Sequence, residues 1–206
     1  MGDDSFEGKA SPDLFFSKEV DLFTAKKLLP PLSAIFGEEI FAKVSMGWKI
    51  DGLHFRIEVQ REPPLTVFYP DFARGDSIEL FIDTRQIAQA KTTHRFYHHF
   101  YFMPESFEGH MKGECSRFRT EDSHPLCSEE LLECKIEQTK NGYIAHIEIP
   151  KEALVGYDPL VAPSLGFTYR INRPDGPSQH FAMTQELSRI DSMPSLWAAL
   201  RLVGDK

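Results

Sequence analysis

Residues 75–85 have the sequence GDSIELFIDTR, in which a glycine turn leads into a segment of alternating side chains. One side of this segment carries the aliphatic residues Ile78, Leu80 and Ile82. The other side carries Glu79 and Asp83, together with a serine and a phenylalanine. A period of two residues is typical of a β-strand that packs one face on a core. The stretch therefore predicts a β-sandwich strand whose second face is available for binding.

Two further segments predict β-hairpins, because Asp51-Gly52 and Asn141-Gly142 each lie between alternating runs. For the first hairpin the expected pairs are Ile50 with Leu53, Trp48 with Phe55, Met46 with Ile57, and Val44 with Val59. For the second they are Ile136 with Ile147, and Cys134 with Ile149. Both registers place apolar side chains on one face and polar side chains on the other, as a sheet covered on one side requires.

The remaining segments are short and mostly strand-like. Strands are expected at 95–103, 165–171, 180–183 and 196–203, and short helices at 24–29 and 151–155. A long irregular loop is expected from 104 to 132. We therefore predict an all-β fold, an antiparallel β-sandwich with jelly-roll or immunoglobulin-like layers, one long loop and one or two short helices. Residues 1–34 would form an N-terminal extension packed on the sandwich of residues 35–206.

Composition excludes several classes of function. The 206 residues include 23 Lys and Arg against 31 Asp and Glu, so the net charge of −8 opposes binding to nucleic acid and to anionic membranes. No apolar run approaches the roughly 20 residues of a membrane span, and the start lacks the features of a secretory signal. Three cysteines disfavour a disulfide framework and fit a reducing compartment. We expect a cytoplasmic protein, with its oligomeric state open.

Five elements in chain order resemble the family 9 carbohydrate-binding modules and their DOMON-like relatives. They are GDSIELFIDTR at 75–85, the aromatic strand RFYHHFYFM at 95–103, Glu148-Ile149-Pro150, Gly166-Phe167, and PSLW at 194–197. The resemblance covers roughly residues 35–204. It implies a β-sandwich and a carbohydrate ligand, although relatives also bind haem or other partners and some carry structural calcium. It also extends to stand-alone bacterial members that have no catalytic domain attached.

The resemblance implies two exposed tryptophans that sandwich a sugar, whereas this chain has only Trp48 and Trp197. The hairpin register aligns Trp48 with apolar neighbours, so we expect it in the core, as we do His98 on the apolar face of its strand. Trp197 lies on the strand face opposite Leu196, Ala198, Leu200 and Leu202, which we expect to point inward to the core. It either projects outward as a stacking platform or is buried beneath the 104–132 loop.

The second face of the aromatic strand mixes flat rings with hydrogen-bond donors, which is what a sugar needs. The same rings could instead only cover the sheet, and Arg170 near the sandwich rim could belong to a solvated turn. The candidate ligand-binding residues are Glu79, Asp83, Arg95, Tyr97, His99, Tyr101, Arg170 and Trp197. No catalytic residues are predicted, because no nucleophile, phosphate-loop or dinucleotide motif occurs.

We expect binding of a carbohydrate or similar polyhydroxylated ligand without its transformation. The alternatives are a protein-interaction module that uses the same face and a metal-dependent sugar-processing enzyme. The acids Asp76, Glu79 and Asp83 could orient sugar hydroxyls or hold calcium, or could form structural ion pairs with Arg74, Arg85 or Arg95. Zinc is disfavoured because His110, Cys115, His124 and Cys127 match no compact site. Haem is disfavoured because His180 and Met183 would lie on opposite strand faces.

Overall fold

The computed structural model describes residues 13–16, 28–29, 31, 34, 37–87, 90–181 and 190–204. These residues form β-strands joined by tight turns and by longer irregular segments, several of which contain a single 3-10 turn. The strands are β1 (Asp13–Phe16), β2 (Leu28–Leu29), β3 (Ala42–Lys49), β4 (Gly52–Gln60), β5 (Ser77–Asp83), β6 (Tyr97–Phe107), β7 (His110–Glu114), β8 (Glu133–Thr139), β9 (Gly142–Pro150), β10 (Ser164–Asn172), β11 (Gln179–His180) and β12 (Ala198–Gly204). Among the described residues, no helix is long and apolar enough to cross a membrane.

The strands form two layers, which confirms the predicted β-sandwich. One layer has the order β7-β6-β5-β10-β12 and the other the order β3-β4-β9-β8, and neighbours within each layer are antiparallel. Strand β1 runs parallel to both β12 and β3, so it joins the layers along one edge. The short strands β2 and β11 add to β3 and β10. Both β1 and β2 fall within the stretch that the sequence predicts as an N-terminal extension.

The core lies between the layers, on the faces that alternation predicts. Ile78, Leu80 and Ile82 of β5 are buried there, and so is Trp48 of β3. The rings of Phe55 in β4 and Phe167 in β10 stack across the two layers with their centroids 5.8 Å apart. Burial of such apolar area is the main stabilising contribution to a sandwich of this kind.

Both predicted hairpin registers are wrong by two residues. Lys49 pairs with Gly52 and Thr139 pairs with Gly142, so each glycine begins a strand instead of completing the turn. Both glycines have a φ of 155°. A Cβ on Gly142 would lie 1.9 Å from the carbonyl oxygen of Val59 on the neighbouring strand. This neighbouring strand, β4, is not part of the β8–β9 hairpin, so the sequence of that hairpin does not reveal its close approach. The close approach of β4 is what requires a glycine at position 142. Because the shift is even, every side chain keeps its predicted face.

Other boundaries also differ from the predictions. Strand β6 continues to Phe107 and turns into β7, so the irregular part of the predicted long loop shrinks to 115–128. Leu28–Leu29 is a strand and not part of a helix, while the rest of that predicted helix lies outside the described residues. Leu196 lies in a 3-10 turn and is 37% exposed, so its predicted inward position is wrong. Met183 lies outside the described residues.

Candidate functional site

The outer face of β6, β5 and β10 carries a cavity of about 290 Å³ that opens to solvent. Its lining comes from these strands, from β7 and from connecting segments on both sides. The lining residues are Tyr69, Pro70, Asp71, Phe72, Ala73, Glu79, Tyr97, His99, Tyr101, Glu114, Cys115, Arg117, Arg170 and Asp191. We call this space the outer cavity.

The centre of the outer cavity is the carboxylate of Glu79, which is fully buried and accepts four hydrogen bonds. Arg170 donates from Nε to Oε1 at 2.7 Å and from Nη2 to Oε2 at 2.8 Å. Asn172 donates to Oε1 and His99 Nε2 contacts Oε2, each at 2.7 Å. Burial alone would raise the pKa of Glu79, but the bonds from His99 and Arg170 outweigh it and lower the pKa to about 2. The group is therefore a carboxylate at neutral pH.

An aromatic wall stands beside this charged centre. The ring of Phe72 stacks on Tyr101 with centroids 4.6 Å apart, and Tyr69 lies 6.0 Å from Tyr101. Tyr101 is only 5% exposed, so half-buried Phe72 and Tyr69 supply the accessible ring surface. Gly113 of β7 lies behind Tyr101, and a Cβ there would come within 2.8 Å of its ring. Glycine at 113 thus allows the Tyr101 ring to lie flat against β7.

The segment that carries Tyr69 and Phe72 is fixed by buried polar contacts. Asp76 accepts hydrogen bonds from Arg61 Nε at 2.9 Å and from the backbone N–H of Thr66 at 2.7 Å. Ser77 Oγ donates to the carbonyl oxygen of Phe72 at 2.8 Å. Sequence reasoning missed this segment, although the run TVFYPDF at 66–72 places three aromatic residues beside the key strand. That local density of rings is the signal that could have found it.

A second, smaller apolar cluster covers the sheet next to the outer cavity and accounts for Trp197. The cluster consists of Phe81, Tyr97, Ile190 and Trp197, with Phe118 packed against it. The Trp197 ring lies 5.3 Å from that of Tyr97, and its Nε1 donates to the carbonyl oxygen of Ile190 at 2.9 Å. Trp197 is therefore buried and does not line the cavity, so the expectation of an outward stacking platform is corrected.

Five of the eight candidate residues from the sequence meet at the outer cavity: Glu79, Tyr97, His99, Tyr101 and Arg170. Tyr97 is fully buried, and its hydroxyl donates to the carbonyl oxygen of Asp191, so it offers little stacking surface. Asp83 lies on the same strand face as Glu79 but does not line the cavity, and it accepts hydrogen bonds from the backbone N–H groups of Arg85 and Ile87. Arg95 precedes β6 and pairs with Asp122 on the surface.

The acids considered for calcium are all engaged by protein donors. Asp76 and Glu79 have the partners described above, and Asp83 accepts two backbone N–H bonds. Within the described ranges, none of the three belongs to a group that offers three convergent ligand atoms. The arrangement therefore does not fit a calcium site built on these carboxylates.

Comparison with solved structures identifies the fold of this chain. No protein-family model matches the chain, and no curated protein matches its sequence. Among solved structures, a family 9 carbohydrate-binding module from Caldicellulosiruptor kristjanssonii in complex with glucose has a TM-score of 0.67 at 18% identity, over 94% of this chain and 97% of that one. The fold is that of the family 9 carbohydrate-binding modules. A family 9 module from the same organism in complex with cellotriose has a TM-score of 0.64 at 16% identity, over 94% of each chain.

A third solved structure supports the same assignment of the fold. A candidate carbohydrate-binding protein from Bacteroides uniformis has a TM-score of 0.56 at 8% identity, over 85% of this chain and 84% of that one. The family 9 fold predicted from five short sequence elements is thus confirmed. The sequence identities are too low for these structures to transfer a ligand or a binding residue to this chain.

Proposed function

We propose that the outer cavity binds a carbohydrate or a similar polyhydroxylated ligand. The observation that carries the proposal is the placement of the Phe72–Tyr101 ring stack directly beside the buried Glu79–Arg170 pair. Sugars present apolar C–H faces that pack on rings and hydroxyls that need directional hydrogen bonds. The solved structures with this fold that hold glucose and cellotriose support the same class of ligand.

The polar side chains of the cavity have two roles: some hold other side chains in place, and the others are positioned to contact the ligand. Glu79 already accepts two hydrogen bonds on each oxygen, so its role is to hold Arg170 and His99 in place. A guanidinium group has five N–H donors, and Glu79 uses two of those on Arg170. The remaining donors of Arg170, together with exposed Asp71 and Arg117, are available to ligand hydroxyls.

The electrostatics of the two buried acids in the cavity lining favour binding over glycoside cleavage. A glycosidase needs one carboxyl group whose raised pKa lets it donate a proton. The pKa of Glu79 is lowered to about 2, because hydrogen bonds from His99 and Arg170 outweigh the effect of burial. The pKa of Glu114, the other buried acid of the lining, is also lowered, because bonds from His124 and His98 outweigh burial. Neither acid can act as a general acid near neutral pH.

The size of the cavity favours a small ligand over a protein partner. Its volume of about 290 Å³ is close to the lower limit of roughly 300 Å³ for small-molecule sites. A concave site with a charged centre suits one or two sugar rings better than a flat protein surface. A protein partner remains an outcome that a pull-down with wild-type protein would detect.

Calorimetric titration with glucose, cellobiose and cellotriose, preceded by a glycan array, tests the proposal. We expect at least one sugar to bind, and Phe72→Ala to weaken that binding by about tenfold, or about 1.4 kcal/mol. Phe107→Ala is the matched control, because Phe107 is also half-buried but does not line the cavity. Failure of the folded wild-type protein to bind any sugar, or equal effects of the two variants, would overturn the proposal.

A further inference from the structure

A buried group of two imidazoles and one carboxylate lies beside the outer cavity, and its carboxylate residue, Glu114, also contributes to the cavity lining. His98 comes from β6, Glu114 from the end of β7, and His124 from the irregular segment that follows. His98 Nδ1 and His124 Nε2 each lie 2.8 Å from Glu114 Oε1. All three ligand atoms lie within 4.8 Å of one another. The side chains of His98 and Glu114 are 0% exposed, and that of His124 is 4% exposed.

The contact made by Nδ1 of His124 shows which of its two ring nitrogens can bind a metal ion. Its Nδ1 lies 2.6 Å from the carbonyl oxygen of Arg95, which can only accept a hydrogen bond. Nδ1 therefore carries a hydrogen, so Nε2, which faces the carboxylate of Glu114, is the ring nitrogen that can give up its proton and bind a metal ion. Two electron-rich atoms 2.8 Å apart need a proton or a cation between them. A histidine that donates one N–H to a backbone carbonyl while its other nitrogen faces the ligand group is the usual arrangement of a metal-binding histidine.

We propose that His98, Glu114 and His124 bind one divalent transition-metal ion, with zinc as the best fit to the donor set. Two imidazole nitrogens and one carboxylate oxygen form a typical three-ligand zinc set that leaves one position open. Ligand atoms around a tetrahedral zinc are roughly 3.3 Å apart, so each histidine must move outward by about 0.5 Å. Calcium does not fit, because it takes oxygen ligands.

Further contacts hold Glu114 in the orientation that this site needs. Ser116 Oγ donates to Oε1 at 2.8 Å, and the backbone N–H of Cys127 donates to Oε2 at 2.8 Å. Hydrogen-bonded outer contacts of this kind orient metal-binding carboxylates. In the sequence, His124 is near His110 and two cysteines, at spacings that match no compact zinc site. The fold instead brings His124 to His98, on a strand whose alternation predicted only a core histidine.

The site would also brace one wall of the outer cavity. The segment between Glu114 and His124 contributes Cys115 and Arg117 to the cavity lining. An ion held by both ends of this segment and by β6 would restrict its movement. Glu114 lines the outer cavity as well, but none of the three metal ligands belongs to the Phe72–Tyr101 wall or to the Glu79–Arg170 pair, so metal binding and sugar binding can be tested separately.

Metal titration of the chelator-treated full chain tests the proposal. We expect the wild-type protein to take up one equivalent of Zn²⁺ in competition with a chromophoric chelator. We expect His124→Ala to weaken binding by more than about 100-fold, beyond the roughly 10–100-fold typical of outer contacts. His146→Ala is the matched control, because His146 lies on β9 outside this group. Failure of the wild-type protein to bind one equivalent, or equal affinities of the His124 variant and the wild type, would overturn the proposal.

Cobalt spectroscopy of the wild-type protein gives a second test that does not depend on a variant folding. One equivalent of Co²⁺ should produce the visible bands of a four-coordinate site without a thiolate charge-transfer band. A thiolate band would assign the ion to a cysteine such as Cys127 and refute the His98–Glu114–His124 ligand set. Thermal unfolding without metal verifies that His124→Ala and His146→Ala are both folded before their affinities are compared.

Discussion

Replacing Glu79 by glutamine should destabilise the protein by about 3 kcal/mol at pH 7. The pKa of Glu79 is lowered from 4.5 to about 2 in the folded state. A tenfold change in an acid dissociation constant corresponds to about 1.36 kcal/mol, so this lowering represents about 3 kcal/mol. Glutamine keeps the shape of the side chain but leaves the buried guanidinium of Arg170 without its counter-charge. Arg170 is 25% exposed, so solvent offsets only part of that cost.

The pH dependence gives the sign and the window of this effect. Because the folded pKa is depressed, the stabilisation is complete above the unfolded pKa of 4.5 and is lost as the pH falls toward 2. The difference between wild type and Glu79→Gln should therefore shrink from about 3 kcal/mol at pH 7 to about 2 kcal/mol at pH 3.5. Urea unfolding followed by tryptophan fluorescence measures it, because Trp48 and Trp197 are both buried.

Glu137→Gln is the matched control, because the side chain of Glu137 is 48% exposed. It should change the free energy of unfolding by less than about 0.5 kcal/mol at either pH. A loss below about 1 kcal/mol for Glu79→Gln at pH 7 would refute the assignment of Glu79 as a strongly stabilised buried carboxylate. A difference that does not shrink in acid would refute the assigned pKa.

Three further changes test the geometry at other points. Gly142→Ala should destabilise the protein by about 3 kcal/mol or more, whereas Gly109→Ala, where a Cβ meets open space, should cost about 1 kcal/mol. Chemical unfolding measures both losses, and equal values would contradict the close contact between Gly142 and Val59. Gly113→Ala should displace the Tyr101 ring and weaken sugar binding by about tenfold in calorimetric titration. Unchanged affinity would show that Tyr101 does not take part in sugar binding. Arg95→Ala should leave both sugar affinity and the melting temperature unchanged, because its ion pair is on the surface; reduced affinity would show that the sugar site extends beyond the outer cavity.

The sequence predicted the layers of the fold well because alternation directly encodes which side chains face the core. Ile78, Leu80 and Trp48 all occupy the predicted inner face. Alternation does not encode which residue lies opposite which, and this is why both hairpins were misaligned while their faces were correct. The missing information was the third strand beside Gly52 and Gly142, whose backbone excludes any side chain there.

The candidate site was predicted in part, for a related reason. A polar or aromatic residue on the second face can be free, covered or paired, and its own strand does not distinguish these cases. Glu79 and Tyr101 line the outer cavity. Trp197 is instead covered by an apolar cluster that includes Ile190, whose carbonyl oxygen accepts the hydrogen bond from the indole. Tyr69 and Phe72 were missed because they belong to an irregular segment, where periodicity carries no signal.

The outer face of this sandwich is therefore neither a bare sheet nor a second complete core. On one side, Trp197 and its apolar neighbours exclude water from the sheet. On the other, Glu79 and Glu114 each gather donors from several separate segments and remain ionised. Buried carboxylates are costly unless they are fully hydrogen-bonded, so the segments that supply those donors are tied to the strands beneath them. A cavity between two such anchored groups can keep its shape before a ligand arrives, which lowers the entropic cost of binding a small polar molecule.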